Sequence, residues 1–365
     1  MLHSARSYVE ISRSRIAANY RAARDLVGPA TRIIGVVKAD AYGHGAVEVA
    51  RVLAAEGIEW LAVSSVEEGV ALRIAGLTTR ILAMAGVMAW ERGAVVEFGL
   101  TPVIHSLSEL REFPDIPVHL KLDTGLSRLG TRASAVEIAA ALKGVQLEGL
   151  LSHFASAADF STGQSEEQIG RFHAMVEDLA ASGIHAPLLH LSSTNAVAYP
   201  RPGAGLSLVR PGHAIYGYVS PARGHAIGSA LAVKPALSWY ARIVAVKDVP
   251  AGALIGYGGT YKAERPMRLA VLAAGYADGV PHRLSNKGKV IAGGKFAPIV
   301  GTVSMDLTTI DVTASPELAP GDAVTLLGAE GALTLDAQQI AKTAGTISYN
   351  VLCGIGGRVK RFYVD

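Results

Sequence analysis

The sequence predicts an α/β fold: a (β/α)8 barrel followed by a C-terminal, mostly antiparallel β domain. Three observations predict it. Up to about Gly217, short β-branched runs alternate with Ala-rich segments of helical period. Polar residues gather where those runs end. From Ala230 onward the runs follow one another at hairpin spacing, separated by Gly and Pro.

Taken in order, RIIGVVK ends at Lys38, and GAVEVARVLAAEG reads as a helix stopped by Gly57. WLAVSS precedes the helix VEEGVALRIAG, and RILAMAG and LTPVIHS follow. PVHLKLD leads to the helix ASAVEIAAALKG, and VQLEGLLSHF to EEQIGRFHAMVEDLAASG. APLLHLSS and SLVR complete about eight strand candidates, the pattern of a parallel barrel. A doubly wound sheet would carry a glycine-rich fingerprint after its first strand. GVVKADAYGHG instead has a lysine there and lacks GxGxxG spacing. The strand ends carry Lys38, Ser64 and Ser65, His105, Asp123, His153, Ser192 and Ser193, and Arg210. In a parallel barrel these positions open onto one face, where barrel enzymes keep their chemistry.

In the remainder, LSWYARIVAVKDV, PAGALIGYGGTY, RLAVLAAGYADG, KVIAGGKFAPIVGTVSMDLTTIDV and DAVTLLG read as strands, with one helix, TLDAQQIAKTAG. The boundary falls in PARGHAIG, residues 221–228. This gives a barrel domain over 1–228 and a β domain over 229–365.

The chain has 365 residues, half of them hydrophobic, which is ample for a buried core. Its 34 basic and 31 acidic residues leave no electrostatic footprint for nucleic acid. Cys353 is the single cysteine, which excludes an internal disulfide and a cysteine-rich metal site; no metal is expected. No apolar run reaches the ~18–20 residues of a spanning helix, so no membrane association is expected. MLHSARSYVEISRSRIAANY lacks the apolar core of a secretory signal, so the expected location is cytoplasmic.

Lys38 is the residue whose chemistry needs explaining. Alone, it reads as a snorkelling lysine. In a desolvated pocket a lysine loses its proton readily and forms a Schiff base with an aldehyde. Tyr42, His44 and the flanking Gly43 and Gly45 suit a loop lining a cofactor, although glycines are common in such loops anyway.

VVKADAYGHG resembles the cofactor-lysine segment of the alanine racemases, fold-type III enzymes that use pyridoxal 5′-phosphate. LKLDTGLSRLG (120–130), LSHF (151–154), LVRPGHAIYG (208–217), GYADGVPHRLSN (275–286) and APIVGTVSMD (297–306) resemble further segments of that family, in its order. The resemblance covers almost the whole chain and implies an amino-acid racemase, most simply of alanine, that serves D-alanine supply for peptidoglycan or alanine catabolism.

The resemblance also implies roles. Lys38 would hold the cofactor and act as base on one face of the substrate Cα. Tyr276 would act on the opposite face. A tyrosine has a reference pKa of about 10 and needs help to ionise, which His153 beside Arg210 would supply. Arg210 would face the cofactor's ring nitrogen. The backbone of Gly212 and His213, with the Thr194 hydroxyl, would hold the phosphate, and Tyr42 would line the cofactor. HLSSTNA departs from the expected Asn-Ser pair at Thr194.

Arg128 would pair with the substrate carboxylate or the cofactor phenolate, and Lys121 matches a lysine that some relatives carbamylate. Met305 and Asp306 would bind the substrate carboxylate. Tyr276, Met305 and Asp306 would come from a second subunit, so a homodimer with shared sites is implied. Thr302, Phe296 and Gly357 stand where the family usually has arginine, tyrosine and tyrosine, and Asp159 comes one place late.

Three other readings compete. A decarboxylase of the same fold type generally uses cysteine chemistry, and Cys353 lies outside any such motif. A non-catalytic carrier of the cofactor would stop after the barrel. A class I aldolase would not need Arg210 or Tyr276.

Overall fold

The computed structural model describes residues 5–224 and 228–365. The chain forms two compact units. One is the barrel, Ser14–Ala41 with Ala46–Lys234. The other joins the chain up to Arg13, Tyr42–Gly45 and Pro235–Asp365.

In the barrel unit eight parallel strands close on themselves. After an N-terminal strand β1 (Ser7–Ser12) that belongs to the other unit, they are β2 (Arg32–Val36), β3 (Trp60–Val63), β4 (Arg80–Ala83), β5 (Thr101–Ile104), β6 (Val118–Lys121), β7 (Leu147–Leu151), β8 (Leu188–Ser193) and β9 (Leu208–Arg210). β9 returns to β2 through Leu208 opposite Arg32. Ile34, Leu61, Ile81, Leu82, Ile104 and Leu120 are buried at 0–1% exposure, so the strands read as nearly continuous apolar runs, as strands covered on both faces must.

Local chemistry sets the helix ends. Helix Ala46–Ala55 stops before Gly57, whose φ of 81° only glycine adopts without cost. Helix Val66–Ile74 starts at a capping box: the Ser65 hydroxyl accepts from the Glu68 N–H, and the Glu68 carboxylate accepts from the Ser65 backbone.

The second unit is built on β10 (Leu237–Val249), whose alternating burial marks a strand with one covered face. β10 pairs antiparallel with β1 and with the later strands Met267–Leu272 and Ala323–Glu330. β1 also pairs, in parallel, with the last strand Lys360–Val364, the exception in a mostly antiparallel sheet. Helix Ala337–Ala344 is capped by Asp336 and ended by Gly345 at φ 66°.

The division differs from the expected one at residue 228. β1 hydrogen-bonds along both edges inside the second unit's sheet, so the N-terminal strand leaves the barrel domain. The boundary falls at Lys234/Pro235; the expected segment PARGHAIG lies partly outside the described residues. A second helix, Ser348–Cys353, also interrupts the strands.

Candidate active site

Lys38 stands two residues past the end of β2, where the backbone does something unusual. Ala39, Asp40, Ala41 and Tyr42 all have φ of 51–53°, a left-handed turn of four non-glycine residues. Such residues each cost roughly 1–2 kcal/mol and persist only where the surroundings over-determine them. Here the Ala39 N–H donates to Glu68 Oε1 (2.6 Å), and Asp40 Oδ1 accepts from the Ala46 N–H (2.8 Å). Glu68 Oε2 also takes the Ser64 N–H (2.6 Å), so one carboxylate ties the Lys38 turn to the loop after β3. Lys38 itself is half-buried.

Arg210 ends β9 with 3% of its surface exposed. Its Nη2 donates to the carbonyls of Ser152 (2.6 Å) and Leu191 (3.2 Å) and lies 3.3 Å from His153 Nδ1. Its Nη1 lies 2.8 Å from His190 Nδ1. Among the described residues no hydrogen bond takes its Nε–H, and Nη1 uses one of its two hydrogens, so donors of a fixed cation are left for something else. Burial lowers its pKa to about 10, still cationic at neutral pH.

His153, at the mouth of β7, is held neutral. Burial first, then the charges of Arg210, Lys121, Arg128 and Lys38, push its pKa down to about 3. A guanidinium can only donate, so His153 Nδ1 accepts from Arg210 and the ring proton sits on Nε2.

Lys121 ends β6, buried, with its pKa lowered to about 8 by burial and by Arg128 and Arg210. Arg128 is exposed in the loop that follows. Asp123 shapes that loop: it accepts from the N–H groups of Gly125 and Ser127 (3.1 and 2.9 Å) and from Arg132 Nε (2.7 Å). Lys38, Lys121, Arg128 and Arg210 thus act on one half-buried histidine, a cluster suited to an anion.

Thr194 opens the short helix Thr194–Ala198 after β8. Its Oγ1 accepts from the N–H group of Gly212 (3.0 Å), one of the two backbone groups expected to hold phosphate, and from that of Ala214 (3.2 Å), which was not among them. His213 is buried and stacks on Tyr218, ring centroids 5.1 Å apart.

The remaining expected residues belong to the second unit. Tyr42 is buried against Tyr349, and burial raises its pKa, so its hydroxyl stays protonated. Tyr276 is 45% and Met305 54% exposed. Their two loops are stitched by backbone bonds: the Tyr276 N–H donates to the Ser304 carbonyl (3.0 Å) and the Ala277 N–H to the Met305 carbonyl (2.9 Å). Asp306 is gripped by Arg358 (2.5 Å), which also holds Asp278 through two contacts of 2.6 and 3.1 Å.

Arg358 and Asp278 were not foreseen. The arginine stands one residue past Gly357, and a carboxylate inside GYADG could have signalled a cationic partner. His190 and His119 were missed too. They interrupt the apolar strands LLHLSS and VHLK, where a polar residue needs a partner. Of the departures, Thr302 bonds to Thr260 and the Tyr257 carbonyl (both 3.1 Å), and Phe296 lies under the Lys289 ammonium, 3.5 Å from its ring centroid. A side chain at Gly357 would meet open space.

Comparison with known proteins agrees with this architecture. The alanine racemase N-terminal domain matches residues 11–221, and the alanine racemase C-terminal domain residues 236–363. The alanine racemase of Syntrophobacter fumaroxidans is 40% identical over 98% of both chains, and that of Halothermothrix orenii 38% identical over 98% of this chain and 96% of its own. The solved alanine racemase of the D-cycloserine producer Streptomyces lavendulae superposes with a TM-score of 0.92 at 33% identity, covering 100% of this chain and 98% of that one. That of Bartonella henselae, with covalently bound pyridoxal phosphate, superposes with a TM-score of 0.88 at 28% identity over 99% of this chain and 100% of its own. The chain belongs to the alanine racemase family of isomerases.

Proposed function

We propose that the protein interconverts L- and D-alanine with pyridoxal 5′-phosphate, by a two-base mechanism in a homodimer with shared sites. The observation that carries the reading is Arg210: a buried cation with both terminal nitrogens tied and its Nε–H left over, in contact with His153, whose pKa the charge of Lys38 also lowers. The donor set fits the cofactor. A cluster of four cationic side chains suits its phosphate and phenolate and the substrate carboxylate. When bound, the cofactor supplies an electron sink that lets a base of ordinary strength take the Cα proton.

The chain's own residues do the rest. Lys38 would anchor the cofactor and then exchange a proton with Cα on one face. Arg210, which keeps its proton, would donate to the ring nitrogen and leave it unprotonated, a weaker sink that suppresses side reactions of a long-lived carbanion. Gly212, His213 and Thr194 would hold the phosphate, and Tyr42 would line the cofactor. Arg128 and the Met305–Asp306 backbone would orient the substrate carboxylate.

Tyr276 of a second copy would exchange the proton on the opposite face. His153 carries its ring proton on Nε2, so it would donate to the ionised tyrosine oxygen and stabilise it. Exposed Tyr276, Met305 and Leu307 support a covered position for this surface in an assembly. No helix among the described residues is long and apolar enough to cross a membrane, and a cytoplasmic location remains part of the proposal.

Incubation with each alanine enantiomer, followed by chiral separation, tests the reading. The protein as purified should carry a yellow chromophore and convert either enantiomer to a near-equal mixture. Lys38→Ala should lose both the conversion and the borohydride-trapped adduct. A wild-type protein that converts neither enantiomer contradicts the proposal.

A further inference from the structure

Two histidines at the centre of the barrel play no part in the reaction described above. His119 on β6 and His190 on β8 are both fully buried. His190 Nδ1 lies 2.8 Å from Arg210 Nη1, and its Nε2 lies 2.8 Å from His119 Nδ1. His119 Nε2 is buried, makes no hydrogen bond among the described residues, and lies 3.5 Å from Glu148 Oε2 on β7, the carboxylate that faces it. Glu148 accepts two hydrogen bonds, from Arg80 Nη1 (2.6 Å) and Nη2 (2.7 Å) on β4. The line therefore runs from Arg210 at one end of the strands to Arg80, which is half-exposed at the start of β4.

We propose that His190, His119 and Glu148 form a one-way hydrogen-bond chain that positions Arg210, with both imidazoles neutral and protonated on Nε2. The direction follows from donor chemistry. A guanidinium only donates, so His190 Nδ1 must accept. A neutral ring that accepts on Nδ1 carries its proton on Nε2 and donates it to His119 Nδ1. His119 is then protonated on Nε2, which faces the carboxylate. Reversing either ring, or charging one, sets two N–H groups against each other without water to relieve them.

Charge and packing agree. Burial lowers the pKa of both histidines, His190 well below its ordinary value, which keeps them neutral. Gly149 stands opposite His119 on the neighbouring strand, and a Cβ there would come within 2.5 Å of His119 Nδ1. A glycine inside a strand marks a close approach, and here the space is taken by the imidazole. Trp60 packs against that ring with centroids 5.5 Å apart, and the Arg80 guanidinium lies 3.8 Å from the Trp60 ring centroid.

An arginine does not release its proton, so the chain orients Arg210 rather than delivering protons to it. His190 and His119 are positioning residues, and their effect on the reaction rests on the assignment of Arg210 to the cofactor. The chain itself can be tested without the cofactor.

The test is nitrogen NMR on the full-length protein labelled with 15N-histidine, in cofactor-free and loaded forms. The expected result is one pair of histidines with pyrrole-type Nε2 and pyridine-type Nδ1, joined by a 15N–15N coupling across the hydrogen bond. Absence of that coupling, or either ring in the Nδ1–H or doubly protonated form, overturns the chain. Glu148→Leu should abolish the coupling and weaken pyridoxal phosphate binding to the apoprotein about tenfold, with kcat falling and KM unchanged. Glu148→Gln keeps an acceptor oxygen and should restore the coupling. Loss of the coupling in Glu148→Gln, or its survival in Glu148→Leu with unchanged cofactor affinity, contradicts the proposal. If the coupling is present but alanine is not racemised, the chain stands and the racemase reading falls.

Discussion

Arg358 holds Asp278 through Nε and Nη2, at 2.6 and 3.1 Å, and its Nη2 reaches on to Asp306 at 2.5 Å. Asp278 is 4% exposed and turns its other contacts inward: its Oδ2 accepts from the Gly275 N–H (2.8 Å), and its carbonyl accepts from the Gly356 N–H (2.9 Å). One arginine therefore braces the loop of Tyr276 and the loop of Met305. Arg358→Ala should lower kcat for alanine about ten- to hundredfold, the order expected when a reacting group is displaced by about an ångström. Cofactor binding should stay within about twofold, because Arg358 has no role in the cation cluster of the barrel. Steady-state kinetics beside a cofactor titration checks this, and an equal loss in both would contradict it.

Gly275 makes a second claim on the same pair of loops. A Cβ there would lie 2.3 Å from the Ser304 carbonyl oxygen and 2.4 Å from that of Met305. Those are backbone atoms and cannot rotate away. Gly275→Ala should cost about 1–3 kcal/mol of stability by overpacking and lower activity through the misplaced Tyr276. Denaturant unfolding checks the first and turnover the second.

Much of this was legible in the sequence, and the missing parts share a cause. The barrel strands and their helices were readable because each element carries its own period and stop signal, as in GAVEVARVLAAEG before Gly57. β1 was not: SYVEIS lacks a turn on either side, and its partners Leu237–Ala241 and Lys360–Val364 lie at the far end of the chain. Lys38, Arg210 and His153 stood out as polar residues at apolar strand ends. His119 and His190 stood inside strands, and their meaning appears only when β6, β7 and β8 lie side by side. The left-handed turn of Ala39–Tyr42 was hidden for another reason. None of its residues is glycine, so local preference pointed away from it.

Glu148 predicts a pH dependence. Burial alone would raise its pKa, but the His119 imidazole 3.5 Å away and the hydrogen bonds from Arg80 lower it to about 2. A carboxylate with a depressed folded pKa stabilises the fold fully above its unfolded value of about 4.5. That contribution is lost as the pH falls toward about 2. The stability difference between wild type and Glu148→Leu should therefore be constant from neutrality down to about pH 5 and shrink below it. Thermal unfolding across that range checks the sign, and a difference that grows in acid contradicts it.

Lys121 is buried and its pKa is lowered to about 8, so a sizeable fraction of its amine is neutral and nucleophilic in mildly basic buffer. The amine would add to carbon dioxide with loss of a proton, giving a carbamate that accepts from Arg128. Protein equilibrated with 13C-bicarbonate should then show one carbamate carbon signal that Lys121→Ala removes. A spectrum without that signal leaves Lys121 as an ordinary amine.

The central claim is proton exchange at Cα by two groups on opposite faces, and deuterium incorporation in heavy water measures it most directly. Wild-type protein loaded with pyridoxal 5′-phosphate should place deuterium at Cα of both L- and D-alanine. Lys38→Ala should place it in neither, and Tyr276→Phe should slow exchange from one enantiomer far more than from the other. Exchange that survives Lys38→Ala unchanged, or a Tyr276→Phe variant slowed equally from both enantiomers, would contradict the account.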